Sequence, residues 1–289
     1  MTKRDVLTAV PVAFHEDGAL DIDGSREILQ FVAKSGNEGA FVLGTTGEFV
    51  SLSFDERASL TKLSVDELGE HMRVVVHVGA ASLFETLRLL DVARDAGAKE
   101  VAVITPYFLP ATDQALRDYY TAISAAADGL GVFIYVYKQR SGNFVSTALL
   151  AELSKLPNII GAKVSEQPMS QIADYRSVVA DDFLLYTGAD RELGIAADNG
   201  AQGVISGISS VLPKPFRALV AALDSGDSAA VDAAQGDVDL AVDTIQGNMG
   251  RMKAAYRVLG VNGGTTRMAI EAPDEAAVSE IERVVRQLS

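Results

Sequence analysis

Short apolar runs rich in β-branched residues recur along the chain. They are LTAVPV from Leu7, GAFVL from Gly39, VVVHV from Val74, EVAVI from Glu100, GVFIYVY from Gly131, IIGAKV from Ile159, FLLYT from Phe183 and GVIS from Gly203. Each is apolar almost throughout instead of alternating, which is the pattern of strands covered on both faces in a parallel sheet flanked by helices. The segments between them read as helices. Ser53 and Glu56 in SFDER, and Ser82 and Glu85 in SLFE, stand three apart and predict capping boxes. The helix after Ser82 is expected to turn Leu83, Leu87, Leu90 and Ala93 inward and to stop at Gly97. The runs start 20 to 35 residues apart, enough for one strand, one helix and two short loops. Eight such units in succession predict a closed (β/α)8 TIM barrel, with an open doubly wound sheet as the competing arrangement. Beyond about Pro213 only helical patterns remain, in PKPFRALVAAL, SAAVDAAQGDVDLAVDTI, MKAAYRVL and DEAAVSEIERVVRQL. Residues 1–212 are therefore expected to form the barrel core, and 213–289 the last barrel helix and a helical C-terminal extension.

Composition narrows the function. Of 289 residues, 48% are hydrophobic and 22% charged, the balance of a globular protein with a large core. Twenty-five Lys and Arg against 39 Asp and Glu give a net charge of −14, which disfavours nucleic acid and anionic membrane surfaces as partners. The absence of cysteine removes disulfides, thiolate metal sites and cysteine nucleophiles. No signal-peptide pattern opens the chain, so a cytoplasmic location is expected.

In a barrel the loops at the carboxyl ends of the strands build the site, and four features there stand out. Lys163 interrupts the apolar run NIIGAKVSE. Burial would lower its pKa toward the range where a free amine attacks a ketone, while pairing with Glu166 or reaching out to water would make it merely structural. Tyr135 and Tyr137, two apart in FIYVY, would share a face, and a phenol beside such an amine could relay protons. GTTGEF, from Gly44 to Phe49, reads either as a turn whose N–H groups and threonine hydroxyls suit a small carboxylate, or as an ordinary glycine turn in which Glu48 begins a helix. Arg140, with Lys138, follows strand five and could hold a second carboxylate or remain a solvated loop cation. The histidines at 15, 71 and 77 lack metal-ligand spacing; HEDG at His15 reads as a turn and His77 as a satisfied strand residue. No Walker motif, GxGxxG or GxSxG elbow is present.

Taken together these residues resemble the dihydrodipicolinate synthase and N-acetylneuraminate lyase family of class I, Schiff-base aldolases. The resemblance is carried by GTTGEF, by TPYF at Thr105 to Phe108, and by Tyr135 followed by RSG at Arg140 to Gly142. It continues in IIGAK at Ile159 to Lys163, GVIS at Gly203 to Ser206, KAAYRVLG, and the later GG with Arg267. It implies that Lys163 forms an imine with pyruvate or another 2-keto acid, that Tyr135 shuttles protons, and that Thr45 and Thr46 bind the carboxylate and pass a proton to the tyrosine. It further implies substrate contacts from Gly44, Gly188, Ile205 and, for the second substrate, Arg140. No cofactor or metal is needed, the partners are a keto acid and an aldehyde, and the assembly is a homotetramer built as a dimer of dimers.

Some positions depart from the family pattern. Phe108, preceded by Tyr107, stands where the synthases carry a proton-relay tyrosine; Val136 and Lys138 replace an asparagine and a proline; Val12 and Ala13 replace a Thr-Pro pair. These departures fall where the second substrate would bind. They leave open a dehydratase or aldolase of a 2-keto-3-deoxy sugar acid acting through the same imine, and a keto-acid-binding barrel without turnover.

Overall fold

The computed structural model describes residues 4–289. Eight parallel strands form a closed barrel in chain order: β1 (Asp5–Ala9), β2 (Gly39–Val42), β3 (Arg73–His77), β4 (Glu100–Ile104), β5 (Gly131–Val136), β6 (Ile159–Val164), β7 (Leu184–Thr187) and β8 (Gly203–Ser206). All eight predicted strands are present, and the TIM barrel replaces the open-sheet alternative. Their side chains are buried nearly throughout, which accounts for the unbroken apolar runs. β1 sits earlier than the run LTAVPV suggests. Val10 still donates to the carbonyl of Phe41, but Pro11 has no N–H with which to extend the ladder.

The helices are α1 (Ile22–Ala33), α2 (Phe54–Leu68), α3 (Leu83–Asp95), α4 (Asp113–Ala126), the single turn α5 (Lys138–Ser141), α6 (Thr147–Leu153), α7 (Met169–Arg176) and the single turn α8 (Leu193–Ala196). After β8 come α9 (Pro213–Ser225), α10 (Ser228–Ile245), α11 (Met249–Val258) and α12 (Glu275–Leu288). The box at α2 forms in full, with Ser53 accepting from Glu56 N and Glu56 returning a bond to Ser53 N. At α3 only the serine half forms, Ser82 accepting from Glu85 N. The inward face of α3 is also rotated from the expected one. It consists of Thr86, Leu89, Leu90 and Ala93, while Leu83 and Leu87 are half-buried. Thr86 tolerates burial because its hydroxyl is fully engaged, accepting from Ala80 N and meeting the hydroxyl of Tyr119 at 2.9 Å. Gly97 ends the segment with φ +86°, as expected of a left-handed cap.

Packing groups the chain into two compact units, one of residues 74–205 with Arg4 and one of residues 5–73 with 206–289. In the first, β4 to β7 form a continuous parallel ladder, and α4 covers it with Leu116, Tyr119, Tyr120 and Ile123; the Tyr120 hydroxyl donates to Val103 O at 3.1 Å. In the second, β1 and β2 pair, α1 packs on α2, and α9 to α12 pack among themselves. α12 turns Ile281, Val284, Val285 and Leu288 inward. No helix among the described residues is long and apolar enough to cross a membrane.

The register of β5 against β6 shifts between Val132 and Phe133, next to Gly161. A Cβ on Gly161 would lie 2.4 Å from the carbonyl oxygen of Leu184 and 2.4 Å from the Phe133 ring. The backbone of β7 cannot yield there without breaking the ladder. Gly161→Ala is therefore expected to destabilise the fold by about 1–3 kcal/mol, read as a lowered thermal midpoint; a midpoint equal to that of the wild type would refute this account of the strand contact.

Candidate active site

Lys163 lies one residue before the end of β6 and is only 5% exposed. Its register partners are Tyr135 on β5 and Tyr186 on β7, both buried. Its Nζ stands 4.4 Å from the centre of the Tyr135 ring. Loss of hydration in this aromatic setting pulls the ammonium pKa down to about 7, and the negative charge of Asp190, just beyond β7, opposes part of the shift. Near neutral pH a large fraction of the amine is thus unprotonated. Glu166, the partner that would have made Lys163 structural, is exposed and accepts instead from the hydroxyl of Tyr137.

Tyr137 has left the strand, yet its ring remains 6.0 Å from that of Tyr135. Burial and the bond to Glu166 raise its pKa. Arg140 follows on α5, its Nε 3.4 Å from the Tyr137 hydroxyl and its guanidinium over the same ring. Tyr137, Arg140 and Glu166 therefore form one polar cluster. Lys138 lies apart from it, its amine 5.7 Å from the centre of the Phe144 ring. His77 is buried, accepts from Ile104 N at 3.4 Å and meets Tyr135 edge to face. It is the satisfied strand residue expected from the sequence, and His15 sits in a turn closed by Gly18 N to His15 O at 2.9 Å.

The loop after β4 is tied to the loop after β5. Thr105 Oγ1 donates to Ser141 Oγ at 2.7 Å. Asn143 accepts from Ala111 N and donates to the carbonyls of Pro106 and Leu109. Held in this way, Phe108 adopts φ +79° and is 91% exposed. Gly188, after β7, leaves room for Ser165: a Cβ there would stand 2.4 Å from Ser165 Oγ. Ile205 is buried on β8.

In the other unit, Thr45–Gly47 forms a single 3-10 turn after β2. Gly47 N and Phe49 N both bond to Gly44 O, and Glu48 N bonds to Thr45 O. The turn itself thus uses three N–H groups that the sequence alone would have offered to a ligand. Gly44 is held against Phe41, whose ring carbon lies 2.6 Å from where a Cβ would be. Thr46 Oγ1 lies 3.2 Å from the corresponding point on Gly207. Glu48 does not begin a helix. It takes φ 54°, ψ 37° between two short turns and is 1% exposed. No group of three or more His, Asp or Glu that could hold a metal ion occurs among the described residues.

Residues 2–288 match the model of the dihydrodipicolinate synthetase family. The chain belongs to that family. It is 33% identical over 231 residues to a 4-hydroxy-tetrahydrodipicolinate synthase of Methanothermobacter thermautotrophicus, covering 78% of this chain and 81% of that one. Among solved structures it is similar to the N-acetylneuraminate lyase of Mycoplasma synoviae, with 26% identity, TM-score 0.89 and coverage of 99% and 98% of the two chains. It is also similar to a prophage protein of Escherichia coli K12, of the dihydrodipicolinic acid synthase family and solved in complex with pyruvate, with 25% identity, TM-score 0.89 and the same coverage. As a dihydrodipicolinate synthetase family protein, the chain is a lyase of the Schiff-base aldolase type.

Tyr135 lies beside Lys163, Tyr137 beside Tyr135, and Arg140 beside Tyr137, but Tyr137 has left the strand whose period was expected to put both tyrosines on one face. Sequence reading missed Asp190, Tyr186 and Ser165. The signal for Asp190 was available, an acid two residues past the glycine that follows strand seven. Also missed was a network behind the threonine turn. Glu48 Oε2 accepts from Arg267 N at 2.9 Å and Met268 N at 2.7 Å. Burial pushes its carboxyl up, while Lys253 and Arg267 hold it down. The Lys253 amine is buried and drawn down to about 8, with Glu48 and Asp21 opposing that shift. Arg267 itself forks onto Glu56, two bonds of 2.8 Å that hold the Glu56 carboxyl down at about 2. Because the folded value is the lower one, this stabilisation is complete above the ordinary carboxylate range and is lost as pH falls through about 2. Glu56→Gln is expected to cost about 1 kcal/mol near neutral pH. The gap in thermal midpoint between variant and wild type should close as the solution is acidified, and a gap that does not depend on pH would contradict this assignment.

Proposed function

We propose that the chain makes or breaks a carbon–carbon bond between pyruvate, or another 2-keto acid, and an aldehyde, through an imine on Lys163. The observation that carries this reading is a buried amine, with a pKa near 7, beside the face of a tyrosine. The neutral amine adds to the ketone carbon to give a carbinolamine, which loses water to the protonated imine. The positive nitrogen then accepts the electron pair released when a proton leaves the neighbouring carbon, giving an enamine. The enamine attacks an aldehyde carbonyl in synthesis, and the same steps run backward in cleavage. Tyr135 carries the protons that these steps release and require. Thr45 and Thr46 hold the keto acid's carboxylate through their hydroxyls, and Gly44, Gly188 and Ile205 shape its place. Arg140 meets the second substrate. The chemistry draws on no cofactor.

A second reading, action on a 2-keto-3-deoxy sugar acid through the same imine, is favoured by the Tyr137–Arg140–Glu166 cluster. Its donors and acceptors stand together, and the carboxylate offsets the guanidinium charge, which suits hydroxyls as well as an anion. Assays with pyruvate and aspartate semialdehyde, set beside assays with keto-deoxy sugar acids, separate the two. The homotetramer implied by the resemblance draws support from Phe84, Phe108 and Leu109, which are 73%, 91% and 70% exposed in a single chain.

Borohydride reduction in the presence of pyruvate should attach the keto acid to Lys163. The trapping rate should rise with pH and level off above about 7. A rate that keeps climbing about tenfold per pH unit well past that point would show an ordinary, solvated lysine, and an unmodified Lys163 at saturating keto acid would leave only a binding role without turnover. Lys163→Ala should abolish turnover with the fold intact. Tyr135→Phe should slow turnover by about 10²- to 10⁴-fold; a negligible loss would move the proton-transfer role elsewhere, with Tyr137 the next residue to test.

A further inference from the structure

Behind the Thr45–Thr46 turn lies buried charge that the proposed chemistry does not use. Glu48 closes the turn in the left-handed region, which a glutamate enters only when its surroundings enforce it. The enforcing contacts come from the C-terminal segment, the N–H groups of Arg267 and Met268 on Glu48 Oε2, and the positive charge of Lys253 on α11 favours the carboxylate there. Glu48 Oε1 is buried and has no hydrogen-bond partner. Lys253 is 1% exposed and donates to Val12 O, in the segment after β1. Asp21, the N-cap of α1, is the second acid acting on Lys253 and accepts from Asn262 Nδ2 at 3.1 Å. Thr46 lies near the same scaffold. The point where a Cβ on Gly207 would sit is 3.2 Å from Thr46 Oγ1 and 3.0 Å from Cε of Met252, the residue before Lys253.

Buried charges contribute little net stability compared with apolar packing of the same volume, because they have lost their hydration. They do fix geometry, since Glu48 Oε2 cannot leave the N–H groups of Arg267 and Met268, nor the Lys253 amine the carbonyl of Val12, without being stranded away from water. Gly47 of the turn has Val10 O 3.2 Å and Val12 Cγ2 3.5 Å from its Cβ position, so the segment that Lys253 holds through Val12 lies against the turn.

We propose that Glu48 and Lys253 are positioning residues for Thr45 and Thr46, so that the segment from α11 to Met268 sets the enzyme's affinity for the keto acid's carboxylate. The proposal rests on the reading of the turn as the carboxylate site. Neither side chain is assigned contact with substrate; both act through the backbone of the turn.

The experiment compares Glu48→Gln, Lys253→Met, the double variant and Thr46→Val in the full chain, by steady-state kinetics in pyruvate and by borohydride trapping on Lys163. Glu48→Gln keeps an oxygen for the two N–H groups and removes only the charge, so it carries the test if Lys253→Met fails to fold. The expected result is a KM for pyruvate raised about tenfold or more in Glu48→Gln, with kcat falling by a smaller factor. Trapping should still reach completion at saturating pyruvate. The double variant, in which neither charge is stranded, should recover part of the loss. A merely structural weakening lowers the amount of folded enzyme and hence the apparent kcat, and leaves KM where it was. If Thr46→Val raises KM while Glu48→Gln leaves it within about twofold of the wild type, the positioning role is overturned and the carboxylate site stands. If Thr46→Val leaves KM unchanged as well, the carboxylate-site reading falls and takes the positioning role with it.

Discussion

The chemistry proposed for this chain depends on keeping one amine out of water. An ammonium on a strand covered on both sides is costly, and the cost falls on the charged form alone, so the group responds by becoming neutral more readily. Lys163 can be held this way because its register neighbours are tyrosines: Tyr135 and Tyr186 supply bulk and low polarity, and the one negative charge acting on it, Asp190, offsets only part of the shift. Had Glu166 turned inward, the amine would have stayed charged and unable to attack a carbonyl. The exposed left-handed position of Glu166, together with its bond to Tyr137, is therefore part of the same arrangement.

Several buried polar side chains of the same unit are fully occupied. Thr86, Thr105, Ser141 and Asn143 are buried or nearly so, and each hydrogen-bonds to backbone or to another side chain. Such bonds add modest net stability but make any other arrangement of the loops costly, since a displaced partner would be left unsatisfied away from water. Conformational precision at the carboxyl ends of β4 and β5 follows from that penalty more than from apolar packing.

Much of this was legible in the chain. Uninterrupted β-branched runs at even spacing mark a parallel sheet with helices between, and a lysine within such a run marks itself. The period-two rule does not reach Tyr137, which lies beyond the strand end, although its ring stays 6.0 Å from that of Tyr135. What could not be read were contacts between residues far apart in sequence. Glu48 looks like the start of a helix until Arg267 and Met268, more than two hundred positions later, are seen to bind it. Nothing in MKAAYRVL marks Lys253 as buried, yet it is 1% exposed. The inward face of α3 was misread for a related reason. Thr86 counts as polar in a periodicity argument, yet with its hydroxyl satisfied by Ala80 and Tyr119 it packs as well as a valine would.

Asn143 has one further consequence. A single amide gathers Pro106, Leu109 and Ala111, so the protruding segment between β4 and α4 is already folded into one shape before anything touches its tip. A surface that comes to rest on the Phe108 ring is spared the cost of ordering this loop, and what it still loses is the free motion of the two bodies.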